Sequence, residues 1–136
     1  MNLSIENTNG MKANELRFGN LVTWYETSDS IFTIEHITKD WIVMVSHHES
    51  GGSLTTRIDI ESVVPIPLTE EWLVKLGFDG YSKYILGGGR IRIKFVRNGT
   101  RTQTSFKNVA IPRQIKYVHQ LQNLYFALTG EELVCQ

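Results

Sequence analysis

Residues 90–107 read RIRIKFVRNGTRTQTSFK. Two alternating runs flank Asn98-Gly99, the dipeptide that most favours a two-residue type I′ hairpin turn, because both central positions need positive φ. The spacing predicts strands over 90–97 and 100–107, with Arg97 facing Thr100, Phe95 facing Thr102, Ile93 facing Thr104 and Ile91 facing Phe106. Side chains alternate across a strand, so Ile91, Ile93, Phe95 and Phe106 fall on one surface. Arg90, Arg92, Lys94, Val96, Arg101, Gln103, Ser105 and Lys107 fall on the other. One face is apolar and buries; the opposite face gathers five cations.

The concentration extends beyond the hairpin. Between Gly80 and Gly130 the chain holds Lys83, Arg90, Arg92, Lys94, Arg97, Arg101, Lys107, Arg113 and Lys116 and no Asp or Glu, whereas residues 1–79 hold five basic and twelve acidic residues. The formal net charge of +0 therefore conceals a divided chain. A basic segment of this kind suits a phosphate-bearing ligand, and the acidic segment repels a long polyanion.

Upstream of the hairpin, Val64-Pro65-Ile66-Pro67 is forced to be extended, since a proline pushes its predecessor out of the helical region. A short helix follows, with Thr69 as N-cap, Glu70 and Glu71 at the positive end of the dipole, and Gly77 as the stop. Trp72, Leu73 and Leu76 form its docking face. Gly87-Gly88-Gly89 joins a strand over 82–86 to the hairpin. Downstream, Pro112 suits the first turn of a helix running to about Thr129 and closed by Gly130. Tyr117, Val118, Leu121, Leu124, Tyr125 and Leu128 form one stripe, while Phe126 lies elsewhere, beside Ile115, His119 and Gln122.

The first half reads as short strands: 16–25 around a bend at Gly19-Asn20, a hairpin of 31–37 and 41–45 across Thr38-Lys39-Asp40, and an edge strand over 57–64. Four short strands joined by tight turns favour a small bent antiparallel sheet resembling an SH3-like barrel. The fold class is α+β: that sheet, a short helix, the basic hairpin and a long C-terminal helix. A chain of 136 residues supports one domain over 11–136, comprising a β-rich lobe (11–64) and a second lobe (65–136), with 1–10 a flexible extension. One cysteine, Cys135, excludes a disulfide framework, and no apolar run approaches the roughly 20 residues of a membrane span. The expected compartment is the cytoplasm.

The residues expected to bind an anion are Arg90, Arg92, Lys94, Arg101 and Lys107, through the forked donors of Arg and the point charge of Lys. Gly88 and Gly89 are added as a backbone nest, against the alternative of a simple turn. Tyr84 is added as a stacking surface, against packing beneath that turn; Tyr81 could accompany it. Trp24, Tyr25, Trp41 and Trp72 read as core or sheet-surface aromatics. His47 and His48 are adjacent in a strand and point to opposite faces, so they do not suggest a metal site. No spacing joins Ser, His and acid into a nucleophile and base, and no cofactor motif is present. Phe126, His119 and Gln122 on the second edge of the C-terminal helix, together with Tyr125 from the stripe beside it, are expected to meet another copy in a homo-oligomer.

Three stretches, MKANELRFGNLV (11–22), IPLTEEWLVKLGF (66–78) and KYVHQLQNLYFALTGEEL (116–133), resemble a family of small proteins from Bacteroidetes bacteria, their phages and prophages. The resemblance implies a phage accessory protein acting in a bacterial host cell and transfers no catalytic or binding residue. Together with the basic face it leads to an expected function: non-enzymatic binding of a phosphorylated ligand, in its most concrete form sequestration of a nucleotide signal of bacterial defence. The alternatives are nucleic-acid binding and inhibition of an acidic host protein.

Overall fold

The computed structural model describes residues 13–24, 27–47, 51–85, 88–99 and 101–135. Residues 1–10, Tyr25, His48, Gly87 and Thr100 lie outside them, as does the His47 side chain. The chain divides into two compact units between Ile66 and Pro67. Each contains one antiparallel sheet, and the second adds two helices, giving an α+β protein.

In the first unit a 3₁₀ turn (Ala13–Glu15) precedes β1 (Leu21–Trp24), β2 (Thr27–Ile37), β3 (Trp41–His47), β4 (Ser53–Asp59), a second 3₁₀ turn (Ile60–Ser62) and β5 (Val63–Val64). The strand order is β4-β3-β2-β1-β5. The first strand starts later than its apolar pattern suggests, because the chain turns at Gly19 (φ 92), where the Arg17 N–H donates to Asn20 Oδ1 at 2.6 Å. The predicted strand over 57–64 is split by the second 3₁₀ turn. Register shifts in β1 and β2 bend the sheet. Its edges, β4 and β5, are not hydrogen-bonded to each other, so the bent sheet is present and a closed SH3-like barrel is not. Leu16, Val22, Phe32, Ile34, Ile42, Met44, Ile58 and Val63 form its core. Thr38 fixes the β2–β3 hairpin, its Oγ1 accepting from the Trp41 N–H and donating to the Trp41 carbonyl, both at 3.0 Å.

The second unit runs α1 (Glu70–Lys75), β6 (Ser82–Tyr84), β7 (Arg90–Val96), β8 (Arg101–Phe106), β9 (Val109–Ile111) and α2 (Val118–Thr129). The Thr69 hydroxyl caps α1 by accepting the Trp72 N–H at 3.3 Å. Gly77 (φ 85) ends it, with Gly77 N–H bonded to Val74 O and Phe78 N–H to Leu73 O, the paired bonds of a Schellman motif. The sheet order is β6-β7-β8-β9. The β7–β8 register is the predicted one: Ile91 faces Phe106, Ile93 faces Thr104 and Phe95 faces Thr102. Ile91 and Ile93 are fully buried, each contributing about 1.5–3 kcal/mol from lost water contact.

Three features depart from the sequence reading. The tight turn of the hairpin is centred one residue early: Gly99 N–H donates to Val96 O at 3.1 Å, and Arg97 (φ 53) and Asn98 (φ 58) are the left-handed residues between them. A fourth strand, β9, follows a second left-handed pair, Lys107 (φ 53) and Asn108 (φ 67), so Lys107 belongs to a turn and not to β8. The helix expected from Pro112 begins at Val118. Residues 112–117 stay outside the helix because β8 competes for them: the Thr102 hydroxyl donates to the Ile115 carbonyl and accepts the Ile115 N–H, both at 3.1 Å. Gln120 then starts the helix, its Oε1 accepting from the N–H groups of Lys116 (2.7 Å) and Tyr117 (3.1 Å). Among the described residues no helix is long and apolar enough to cross a membrane.

Candidate functional site

The uncovered face of the second sheet is built by alternation. Arg90, Arg92 and Lys94 stand two residues apart along β7, and the register sets Ser105 beside Arg92, Gln103 beside Lys94 and Arg101 beside Val96. Ser82 flanks Arg92 from β6, and Ala110 flanks Ser105 from β9. Arg92, Lys94 and Arg101 are exposed, and within this unit no described carboxylate engages any of them.

Arg92 and Lys94 line a groove of about 460 Å³ whose other walls include Gln103, Ser105, Ala110 and Pro112. The row beside Arg92 consists of small side chains, which is why the groove exists: a bulky residue at 105 or 110 would fill it. Two cations, a hydroxyl and an amide converge there, a donor set suited to phosphate oxygens. Alternation along the hairpin already sets Gln103 and Ser105 on this face, whereas Ala110 and Pro112 join it only through β9, a strand absent from the sequence reading. Its signal was present in Asn108, a residue that tolerates left-handed turns, followed by the apolar run Val109-Ala110-Ile111.

At one end of this face Tyr84 pairs with Arg90 in register. The Arg90 guanidinium donates to the Tyr84 hydroxyl at 3.3 Å and lies 5.5 Å from the ring centroid, and the tyrosine is 74% exposed. Tyr81 is elsewhere, edge-on to Phe95 at 6.4 Å with its hydroxyl donating to Glu70 at 2.9 Å. That bond to a carboxylate, and then its charge, holds the Tyr81 phenol above its ordinary pKa.

Gly88 and Gly89 form the β6–β7 turn. The Gly88 N–H is used by the Ile85 carbonyl at 3.0 Å, which removes it from an anion nest. Gly89 (φ 100) admits Lys107: a Cβ here would lie 2.9 Å from Lys107 Cγ and Cε. Lys107 thus lies along the turn, its ammonium 5.4 Å from the Phe106 ring centroid, apart from the row formed by Arg92 and Lys94.

The proposed oligomer edge of α2 is not offered outward. His119 is 3% and Gln122 2% exposed, Tyr125 is buried, and only Phe126, at 39%, reaches the surface. The His119 ring stacks on Tyr117 at 5.9 Å. Gln122 donates to the Leu133 carbonyl at 3.4 Å, because the chain turns back after Gly130 (φ 76) and buries Leu133 against the helix. The buried stripe is therefore Val118, His119, Leu121, Gln122 and Tyr125, rotated from the one read in the sequence.

Among the described residues no group of three or more His, Cys, Asp or Glu side chains is arranged to hold a metal ion. Compared with protein-family models, curated proteins and solved structures, the chain matches none.

Proposed function

We propose that this protein binds a phosphorylated small molecule on the basic face of its second sheet and leaves it chemically unchanged. The observation that carries the reading is the groove beside β7, where exposed Arg92 and Lys94 meet Ser105 and Gln103 and no described carboxylate of the unit neutralises them. The groove lining contains no His, Cys, Asp or Glu, the usual general acids and bases, which favours binding over catalysis. The phage resemblance gives this binding its setting: an accessory protein in the host cytoplasm that removes a phosphorylated defence signal from solution. Titration calorimetry with inorganic pyrophosphate tests it. Saturable binding to the native protein, lost in an Arg92→Glu/Lys94→Glu double variant of unchanged melting temperature, is the expected result; equal binding by both proteins overturns it.

A second reading, an acidic segment of a partner protein, is favoured by β9. This edge strand is short, uncharged and exposed at Val109 and Ala110, and a strand at a sheet edge is the kind of element that an extended peptide can join. An acidic peptide that binds where pyrophosphate does not would select it.

A further inference from the structure

We infer that the ligand of the basic face is a nucleoside polyphosphate, its base stacked on Tyr84 and its phosphates held by Arg92 and Lys94. This rests on the phosphate-binding reading above and adds a second subsite to it. Tyr84 and Arg92 occupy adjacent rows of β6 and β7, the register setting Tyr84 opposite Arg90 and Ser82 opposite Arg92. Such diagonal neighbours on an antiparallel sheet stand about 7–8 Å apart, a step that a ribose linking base to phosphate can span.

The tyrosine is prepared for stacking. Its hydroxyl is fixed by Arg90 at 3.3 Å, so the ring loses little freedom when a base arrives, while most of its surface remains open to solvent. In the turn that follows, Gly88 bears no side chain, and a Cβ there would meet nothing within 4 Å. Beyond Arg92 the next cation on the same face is Lys94, so a diphosphate or longer chain has a second charge to reach, with the Ser105 hydroxyl alongside Arg92. Arg101, one row further and diagonal to Lys94, extends the series.

The test uses two probes that differ only by the nucleoside. ADP should bind the native protein about tenfold more tightly than inorganic pyrophosphate, the effect of one stacking contact. Tyr84→Ala should lower ADP affinity to that of pyrophosphate and leave pyrophosphate unaffected, whereas Tyr84→Phe should retain most of the preference; circular dichroism checks that the variants fold. If pyrophosphate binds but ADP gains nothing, or Tyr84→Ala changes neither affinity, the base subsite is refuted and phosphate binding stands. If neither probe binds, both readings fall. Hexathymidylate binding more tightly than ADP, with affinity falling steeply as salt rises, would overturn the small-nucleotide assignment in favour of a single strand.

Discussion

Gln114 completes the ladder of β8 with its side chain: its Oε1 accepts the Thr102 N–H and its Nε2 donates to the Thr102 carbonyl, both at 2.9 Å. One amide thus satisfies the donor and acceptor of a buried residue just beyond the end of β9. Gln114→Ala should destabilise the protein by about 1–3 kcal/mol, the cost of leaving buried backbone groups unsatisfied. Gln114→Glu should also destabilise, since a carboxylate offers no donor to the Thr102 carbonyl. Chemical denaturation measures both; an alanine variant as stable as the native chain would show that water replaces the amide freely.

Two glycines with similar backbones should respond differently to alanine. Gly99 (φ 85) faces open space, so Gly99→Ala should cost about 1 kcal/mol for the left-handed backbone alone. Gly89 (φ 100) lies against Lys107, so Gly89→Ala should cost about 2–3 kcal/mol, strain and displacement together. Lys107→Ala in the Gly89→Ala background should recover part of the difference, which a double-mutant cycle reads directly.

Tyr81 should titrate above its ordinary value of 10.0 while Glu70 is present. The neutral phenol donates the bond and phenolate would face a carboxylate, so this contribution to stability is complete below the unfolded-state pKa and is lost as pH rises through the folded one. Glu70→Gln should shift one tyrosine of the ultraviolet absorbance titration downward. No shift would mean that the bond is not kept in solution.

Gln122 and Phe126 should separate internal packing from surface. Gln122→Glu places a carboxylate against the Leu133 carbonyl in a buried position and should destabilise by more than about 2 kcal/mol. Phe126→Glu, at a partly exposed position, should cost less. The reverse order in thermal melting would mean that the turned-back tail does not cover the helix.

What the sequence revealed depended on whether a signal was local. The β7–β8 register followed from the alternation of the two strands, which held although the tight turn moved to Arg97-Asn98, and α1 followed from Thr69 and Gly77, because pairing patterns and cap chemistry are settled within a few residues. Thr38 likewise announced its hairpin. The late start of α2 was hidden because its cause, Thr102, is twelve residues away from Gln114. A helical pattern cannot reveal a strand that claims its first turn. His119 and Gln122 were placed on an outer edge for the same kind of reason: Leu133, which covers Gln122, follows a glycine turn whose direction no periodicity encodes. Of the candidate site, the cations on β7 were legible as a row, but the groove needed Ser105 and Ala110 side by side, a relation created only when β9 joins the sheet.

The order β6-β7-β8-β9 also bears on how this unit reaches its native state. Every strand pairs only with its neighbour in sequence, so each ladder closes a short loop at little entropic expense, and no strand waits for a distant partner. Hairpins form in about 1–10 μs, which makes β7–β8 a natural nucleus, with docking of residues 112–117 a later event. In stopped-flow measurements, a destabilising change at Asn98 should therefore slow folding, whereas Gln114→Ala should chiefly hasten unfolding.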